Sequence, residues 1–225
     1  MISENIKSIR QRIARCCEKS GRPAEDVTLV CVTKEVGPSE IEEALRFGIT
    51  DIGENRAQDL IPKYKAIGPN VRWHFIGHLQ TNKAKDVVAA SSLIHSVDSV
   101  HLAGAINKEA GKLGKVQDVL IQVNVSGEKS KFGIAADEAV DAIKNISLYA
   151  NISIKGLMTI APEVPDAELV RPCFRGLKEL FKDVKARNFN NVDMKYLSMG
   201  MSNDFETAIE EGSNMVRLGR AIFKL

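Results

Sequence analysis

Apolar residues recur along this chain in two alternating periods. Short apolar runs fall at 27–34, 51–54, 72–77, 93–97, 117–125, 153–160, 195–200 and 215–218. Many are β-branched and end at turn residues, the pattern of buried strands. Between nearly all of them lie stretches whose apolar positions are three and four residues apart, as on a helix with one buried face. Ile6, Ile9, Ile13 and Cys16 or Cys17 form such a face before the first run and Gly21 closes it, so residues 1–21 are predicted as an N-terminal helix. Over 39–47, Ser39 with Glu42 makes a capping box, Ile41, Ala44 and Leu45 supply the buried face, and Gly48 is the stop. Longer amphipathic helices are predicted over 136–146 and 167–186, the second starting near the Pro165-Asp166 turn.

Eight strands alternating with helices predict a parallel sheet with helical crossovers. Eight is the number that closes a TIM-type (β/α)8 barrel. An open doubly wound sheet is the rival, but no G-x-G-x-x-G follows the first strand. There is no Pro/Gly/Ser-rich linker, and the chain stops soon after the eighth strand. The expectation is one α/β domain over 1–225, a barrel with an additional N-terminal helix.

Composition narrows the function classes. The net charge is +2 and the two signs are interleaved, which argues against a nucleic-acid partner. Cys16, Cys17, Cys31 and Cys173 have neither CxxC spacing nor nearby histidines, so they read as packing thiols of a reducing compartment. The first twenty residues are too charged for a signal peptide, and no apolar run reaches membrane-spanning length. A cytoplasmic location and no membrane partner are expected. A closed barrel with a covering helix predicts a monomer.

In a barrel every strand ends at one face, and sites lie there. Lys34 ends the first strand. Burial at that point would favour a neutral, nucleophilic amine able to capture an aldehyde, whereas the plainer account is a lysine snorkelling to solvent. Ser198, Gly200 and Ser202 after the seventh strand, with Gly219 and Arg220 after the eighth, have the composition of a phosphate cradle, although ordinary helix caps use the same groups. Arg217, within the last strand, needs an acceptor inside the barrel, and structural pairing with a carboxylate is the plainer account. Asn55 and His78 stand at strand ends and are candidates to orient a ring. Met158 is a candidate to pack against whatever fills the mouth, with plain core packing the favoured account. His74 need not share the mouth, and His95 and His101 carry no partner signal. Asp51 and Glu54 are taken to flank the second strand's end and are candidates to pair with lysines. The loop from Ser126 to Gly133 reads as solvated charge, with Lys131 as a lesser candidate for an aldehyde or phosphate contact.

Taken together, Val32-Thr33-Lys34, Ile52-Gly53-Glu54-Asn55, Trp73-His74-Phe75-Ile76-Gly77-His78-Leu79-Gln80 with Asn82-Lys83, Gly156-Leu157-Met158-Thr159, Leu197-Ser198-Met199-Gly200-Met201-Ser202 with Asp204, and Val216-Arg217-Leu218-Gly219 resemble the pyridoxal phosphate homeostasis proteins, the YggS and PROSC group. The resemblance covers essentially the whole chain. It implies a barrel similar to the N-terminal domain of alanine racemase, with pyridoxal 5'-phosphate (PLP) held as a Schiff base on Lys34. It further implies phosphate contacts from the Ser198, Met199 and Ser202 segment and from backbone at Gly219 and Arg220. Arg217 would face the pyridine nitrogen, and Asn55, His78 and Met158 would line the pocket. Small residues are also expected at position 220, and a backbone role tolerates the arginine.

The implied role is vitamin B6 balance, with apo PLP-dependent enzymes as recipients and little or no turnover. Racemase-type chemistry needs a second acid/base opposite the lysine, and each such group is worth roughly 10²–10⁴-fold. A racemase or related enzyme, with its second base from Tyr64, Tyr149, Tyr196 or a dimer partner, is the alternative. A phosphate-binding barrel unrelated to PLP is the third.

Overall fold

The computed structural model describes residues 1–128 and 131–223; Lys129 and Ser130 of the charged loop, and Lys224 and Leu225, lie outside the described residues. The strands are β1 (Thr28–Val32), β2 (Asp51–Glu54), β3 (Arg72–Phe75), β4 (Leu93–Val97), β5 (Gln117–Asn124), β6 (Ile134–Ala135), β7 (Ile152–Met158), β8 (Val192–Ser198) and β9 (Met215–Leu218). The helices are α1 (Ile2–Lys19), α2 (Pro38–Arg46), α3 (Ala57–Ile67), α4 (Ala84–Ala90), α5 (Val100–Lys112), α6 (Ala139–Ile146), α7 (Arg171–Arg187), α8 (Phe205–Glu210) and α9 (Arg220–Phe223).

All strand pairs are parallel. Going round, β1, β2, β3, β4, β5, β7, β8 and β9 pair in turn, and β9 returns to β1. This is the predicted eight-stranded TIM barrel with its helices outside. Among the described residues a ninth strand, β6, is an addition to the predicted eight; its two residues pair with the end of β5.

Some helix starts differ from expectation. Gly37 is the N-cap of α2 and Pro38 its first residue, while Ser39 Oγ turns to Glu40 Oε2 at 2.8 Å, so the Ser39/Glu42 capping box does not form. Proline fixes φ and lacks an N–H, which suits it to the first helical position and moves the cap two residues earlier, from Ser39 to Gly37. α6 begins three residues later than predicted. α7 is preceded by a 3-10 turn over Ala167–Val170, capped by Asp166, whose Oδ1 accepts from Glu168 N at 2.9 Å.

Strand register sorts the side chains. Val30 lies opposite both Asp51 and Arg217, Asp51 opposite Arg72, Gly53 opposite His74, and His74 opposite Leu93. Neighbours in a parallel pair share a face, and alternation along each strand continues it. Val30, Leu93, Leu120, Met158 and Met215, with Tyr196 against them, form a small apolar cluster inside the barrel. The main core lies between the barrel and its helices, where Trp73, Phe75, Phe174 and Phe205 are its largest buried side chains.

The last helix, α9, is a single turn and too short to cover its share of the barrel. α1 does this instead, packing between α8 and α9 on one side and α2 on the other. It buries Ile6, Ile9, Ile13, Cys16 and Cys17, the face predicted from spacing. Arg12 forks onto Glu206 at 3.0 and 2.7 Å and lies 4.5 Å over the Phe205 ring, and Asn5 Nδ2 donates to Ile222 O at 2.9 Å.

Candidate functional site

The strand ends that carry chemistry converge on the C-terminal mouth. Lys34 follows β1 by two residues and is exposed, so the burial expected to activate it is not present. What is buried is its support. Thr33 and Glu54 are fully buried, and Thr33 Oγ1 donates to Glu54 Oε1. Lys63 of α3 donates to Glu54 Oε1 and to the Thr33 carbonyl, each at 2.6 Å. The next residue, Glu35, has φ +64°. The backbone on both sides of Lys34 is thereby fixed while the side chain stands free. Glu54 does end β2 and pairs with a lysine, as expected, but nothing in the sequence singles out Lys63, which reads as a charge on a helix surface. Asp51 lies at the start of β2, at the floor of the barrel, rather than at the strand's end.

Gly219 continues β9 alongside β1. A Cβ on Gly219 would sit 3.0 Å from the Val32 carbonyl, so the Gly219–Arg220 backbone borders the chain leading to Lys34. Ser202 Oγ accepts from Ala221 N at 3.3 Å, joining the turns after β8 and β9. Gly200 shapes the first of these turns. Its φ is +96°, and a Cβ there would be 2.7 Å from Ala208 Cβ. Asp204 Oδ1 accepts from Met201 N at 2.6 Å. Burial raises the Asp204 carboxyl above its ordinary value, against the opposing pull of that N–H and of Arg217. The Met199 side chain belongs to the outer core, so only its backbone borders the turn. Arg220 is largely exposed, with its guanidinium 3.4 Å from Glu163.

Arg217 is 3% exposed. Its Nη1 donates to Ser198 Oγ at 2.6 Å and its Nη2 to Thr159 O at 2.8 Å. Burial pulls the guanidinium down to about 10, opposed by Asp204, so it is a cation at neutral pH. Ser198 is fully buried and its hydroxyl is engaged by Arg217 and by His95 Nδ1 at 3.1 Å. It therefore stands beneath the mouth with Arg217, apart from the turn that carries Ser202. Met158 lies beside Ser198 in register and is fully buried in the interior cluster.

On the opposite rim, Gly77 lets two strand ends touch. A Cβ there would meet the Asn55 carbonyl at 2.0 Å. Asn55 is half-buried beside it, and His78 follows. The exposed His78 ring stacks on Phe132 with centroids 3.8 Å apart and planes at 13°, and its Nδ1 is 3.1 Å from Asp98 Oδ2. Asp98 and Phe132 are not distinguished by sequence reasoning, and the loop read as solvated charge places an aromatic ring at the rim. Lys131 in that loop pairs with Glu128 at 3.0 Å. His95, which carries no partner signal in the sequence, bonds both Ser198 and His74 inside the barrel.

Comparison with known proteins fits this geometry. The family described as alanine racemase, N-terminal domain, matches residues 4–225. A pyridoxal phosphate homeostasis protein of Aquifex aeolicus is 43% identical over 221 residues, covering 98% of this chain and 96% of the relative. One from Escherichia coli K12 is 35% identical over 228 residues, covering 99% and 95%. PipY of Synechococcus elongatus PCC7942, solved with PLP bound, superimposes with a TM-score of 0.86 at 30% identity, covering 99% of this chain and 100% of that one. The alanine racemase of Clostridium difficile shares the fold at 18% identity and a TM-score of 0.76, with 56% of its chain covered. With its barrel, its strand-end residues and relatives of this identity along nearly its whole length, the chain belongs to the pyridoxal phosphate homeostasis protein family, built on the alanine racemase N-terminal domain.

Proposed function

We propose that this protein binds PLP at the mouth of its barrel and serves vitamin B6 balance by holding and releasing it. The observation that carries the reading is a free lysine on a rigid turn, with a glycine-shaped backbone cradle on one side and a buried arginine below. Lys34 Nζ is the attachment point. The cofactor's aldehyde supplies the one covalent step, condensation with that amine and loss of water. Ser202 and the Gly219–Arg220 backbone would hold the phosphate, since hydroxyls and close-approach amides suit an anion. Arg217, a permanent donor, would face an unprotonated ring nitrogen. Ser198 is assigned to Arg217 rather than to phosphate, because both sides of its hydroxyl are already engaged. Asn55, His78 and Met158 would border the ring.

Holding is favoured over turnover by the positions of the three tyrosines, which together with a dimer partner are the candidates to supply a second base. Tyr64 packs edge-on against Trp73, with centroids 6.0 Å apart. The Tyr149 hydroxyl lies against Gly104 of α5. Tyr196 belongs to the interior cluster and interacts with Arg72 at the floor. Loaded protein would pass PLP to apo PLP-dependent enzymes of the same compartment.

Borohydride reduction of protein incubated with PLP, followed by peptide mass mapping, tests the attachment. The expected label is on the Lys34 peptide and is lost in Lys34→Ala. A label retained at full level in that variant refutes the assignment. α-Proton exchange of L-amino acids in D₂O at rates ordinary for PLP enzymes would replace the holding role with the racemase-like one.

A further inference from the structure

A line of polar side chains crosses the barrel interior, and attachment of a cofactor at the rim does not explain it. Arg72 Nη2 lies 2.9 Å from Asp51 Oδ2, and Asp51 Oδ1 lies 2.9 Å from His74 Nε2. His74 Nδ1 is 2.8 Å from His95 Nε2, and His95 Nδ1 is 3.1 Å from Ser198 Oγ, which Arg217 reaches at 2.6 Å. Every member except Arg72 is at most 3% exposed. Other barrels fill this space with branched apolar residues. Buried polar groups are tolerated when every donor and acceptor is matched.

The two ends fix the direction of each bond. A guanidinium only donates, so Ser198 Oγ accepts from Arg217 and must send its own proton elsewhere. Among the described residues, the partner open to that proton is His95 Nδ1. An accepting ring nitrogen carries no proton, so His95 holds its proton on Nε2 and donates to His74 Nδ1. His74 then donates from Nε2 to Asp51 Oδ1, while Asp51 Oδ2 accepts from Arg72 and, at 2.7 Å, from Thr50 Oγ1. Burial, reinforced by His74 and Arg217, holds His95 well below its ordinary value of 6.5 and favours this arrangement.

An added proton turns the line around. His74 would donate from both nitrogens and His95 would donate from Nδ1. Ser198 would then accept from His95 and Arg217 together, leaving its own proton without an acceptor on the line. The new charge would stand between two arginines with Asp51 as its counter-charge.

We propose that Asp51, His74, His95 and Ser198 are positioning residues for Arg217, forming a relay that clamps its guanidinium beneath the mouth and loosens it when one proton is added. Each strand's titratable contribution to the interior can be named. β2 gives Asp51, β3 Arg72 and His74, β4 His95, β5 Asp118 at the floor, with Lys115, Lys155 of β7 and Asp193 and Lys195 of β8 around it, β8 Tyr196 and β9 Arg217, with Asp204 facing Arg217 from above; among the described residues β1 gives none. The floor end opens on a cleft of about 480 Å³ that Arg10, Glu25, Thr50, Asp51 and Arg72 help to line, which connects the relay to solvent. The consequence for PLP rests on the function proposed above, whereas the relay does not: PLP should be held more weakly as pH falls through the relay's titration.

Long-range ¹H–¹⁵N NMR of histidine side chains in cofactor-free protein tests the relay directly. Near neutral pH, His95 should show a bare Nδ1 and a protonated Nε2, and on acidification its Nδ1 should become protonated. Asp51→Asn removes the counter-charge and should move the midpoint down by roughly 1 to 3 pH units. Arg72→Gln, at a position where the side chain is 54% exposed, leaves the fold less disturbed and should move it up. PLP affinity measured by equilibrium dialysis across pH should follow the same two shifts. A merely structural network would lower stability in both variants without moving the midpoint in opposite directions. A protonated His95 Nδ1 near neutral pH, or midpoints indifferent to both substitutions, overturns the proposal. If the NMR signature and both shifts are present while PLP fails to bind, the relay stands and the cofactor reading falls.

Discussion

Lys63 Nζ lies 2.6 Å from Glu54 Oε1 and spans, with the same ammonium, to the carbonyl that immediately precedes Lys34. Glu54 is fully buried and, among the described residues, its Oε2 has no hydrogen-bond partner, so this cation balances a carboxylate that has left water. Lys63→Met would strand that charge. Breaking one side of a buried pair costs about 3–5 kcal/mol. The expected result in urea unfolding is a loss of that order, with much of it recovered in the Lys63→Met/Glu54→Gln double variant. If the double variant is as unstable as the single one, charge compensation is not what Lys63 supplies.

Gly200 shapes the turn that brings Ser202 to the α9 backbone. Its positive φ, and the 2.7 Å that would separate an added Cβ from Ala208, make even alanine strained there. Backbone strain of this kind costs of order 1–3 kcal/mol. Gly200→Ala should lower the thermal midpoint and weaken binding of PLP more than binding of pyridoxal, which lacks the phosphate. Equal weakening of both ligands would separate Gly200 from the phosphate end.

His95 and Asp51, two interior groups with lowered values, set an acid limit. His95 is held below 6.5 by burial, so the unfolded chain takes up its proton first as pH falls. Stability from this group is therefore present above about 6.5 and is lost below it, down to the folded value. At Asp51, burial pushes the carboxyl up but hydrogen bonds from His74, Thr50 and Arg72 outweigh it, leaving a lowered value. Its contribution is present above the ordinary carboxylate range and is lost at lower pH. Unfolding free energy should begin to decline near pH 6.5 in the native protein, with a flatter profile in His95→Gln over that first interval. Identical slopes in the two would remove His95 as the cause.

Phe132 is 56% exposed yet stacked on His78, so its truncation should affect the rim more than the fold. Aromatic stacking contributes about 0.5–1.5 kcal/mol, and exposure puts Phe132→Ala at or below the low end. The expected outcome is a nearly unchanged melting temperature together with faster release of PLP, read by stopped-flow transfer to an apoenzyme. Unchanged release kinetics would show that the stack does not restrain the ligand.

The barrel is legible because strands buried on both sides are written as continuous apolar runs, and because α1 repeats its apolar positions at helical spacing. Lys34, Ser202 and Gly219 are legible for a related reason, being polar or glycine residues where an apolar run stops. The interior is not. His74 and His95 meet only through the register of β3 on β4, and Asp51 arrives from a third strand; nothing local distinguishes an imidazole facing the barrel axis from one facing a helix. Lys63 is hidden differently, since a lysine on an amphipathic helix looks solvated until its partner is located. The start of α2 is ambiguous because two signals compete there, and proline's fixed φ outweighs the serine cap.

α1 replaces the ring's final helix, so residues near position 10 complete a wall begun by residues beyond 200. The seam of the barrel is the β1–β9 pair, and the Lys34 turn and the Gly219 turn stand on its two sides. Contacts of such long sequence separation form late and slowly. During synthesis the first helix and strand would leave the ribosome with their apolar faces uncovered and wait for the last segment to emerge. The proposed cofactor site would thus be assembled only once β9 has emerged, so its ligand could be captured only then.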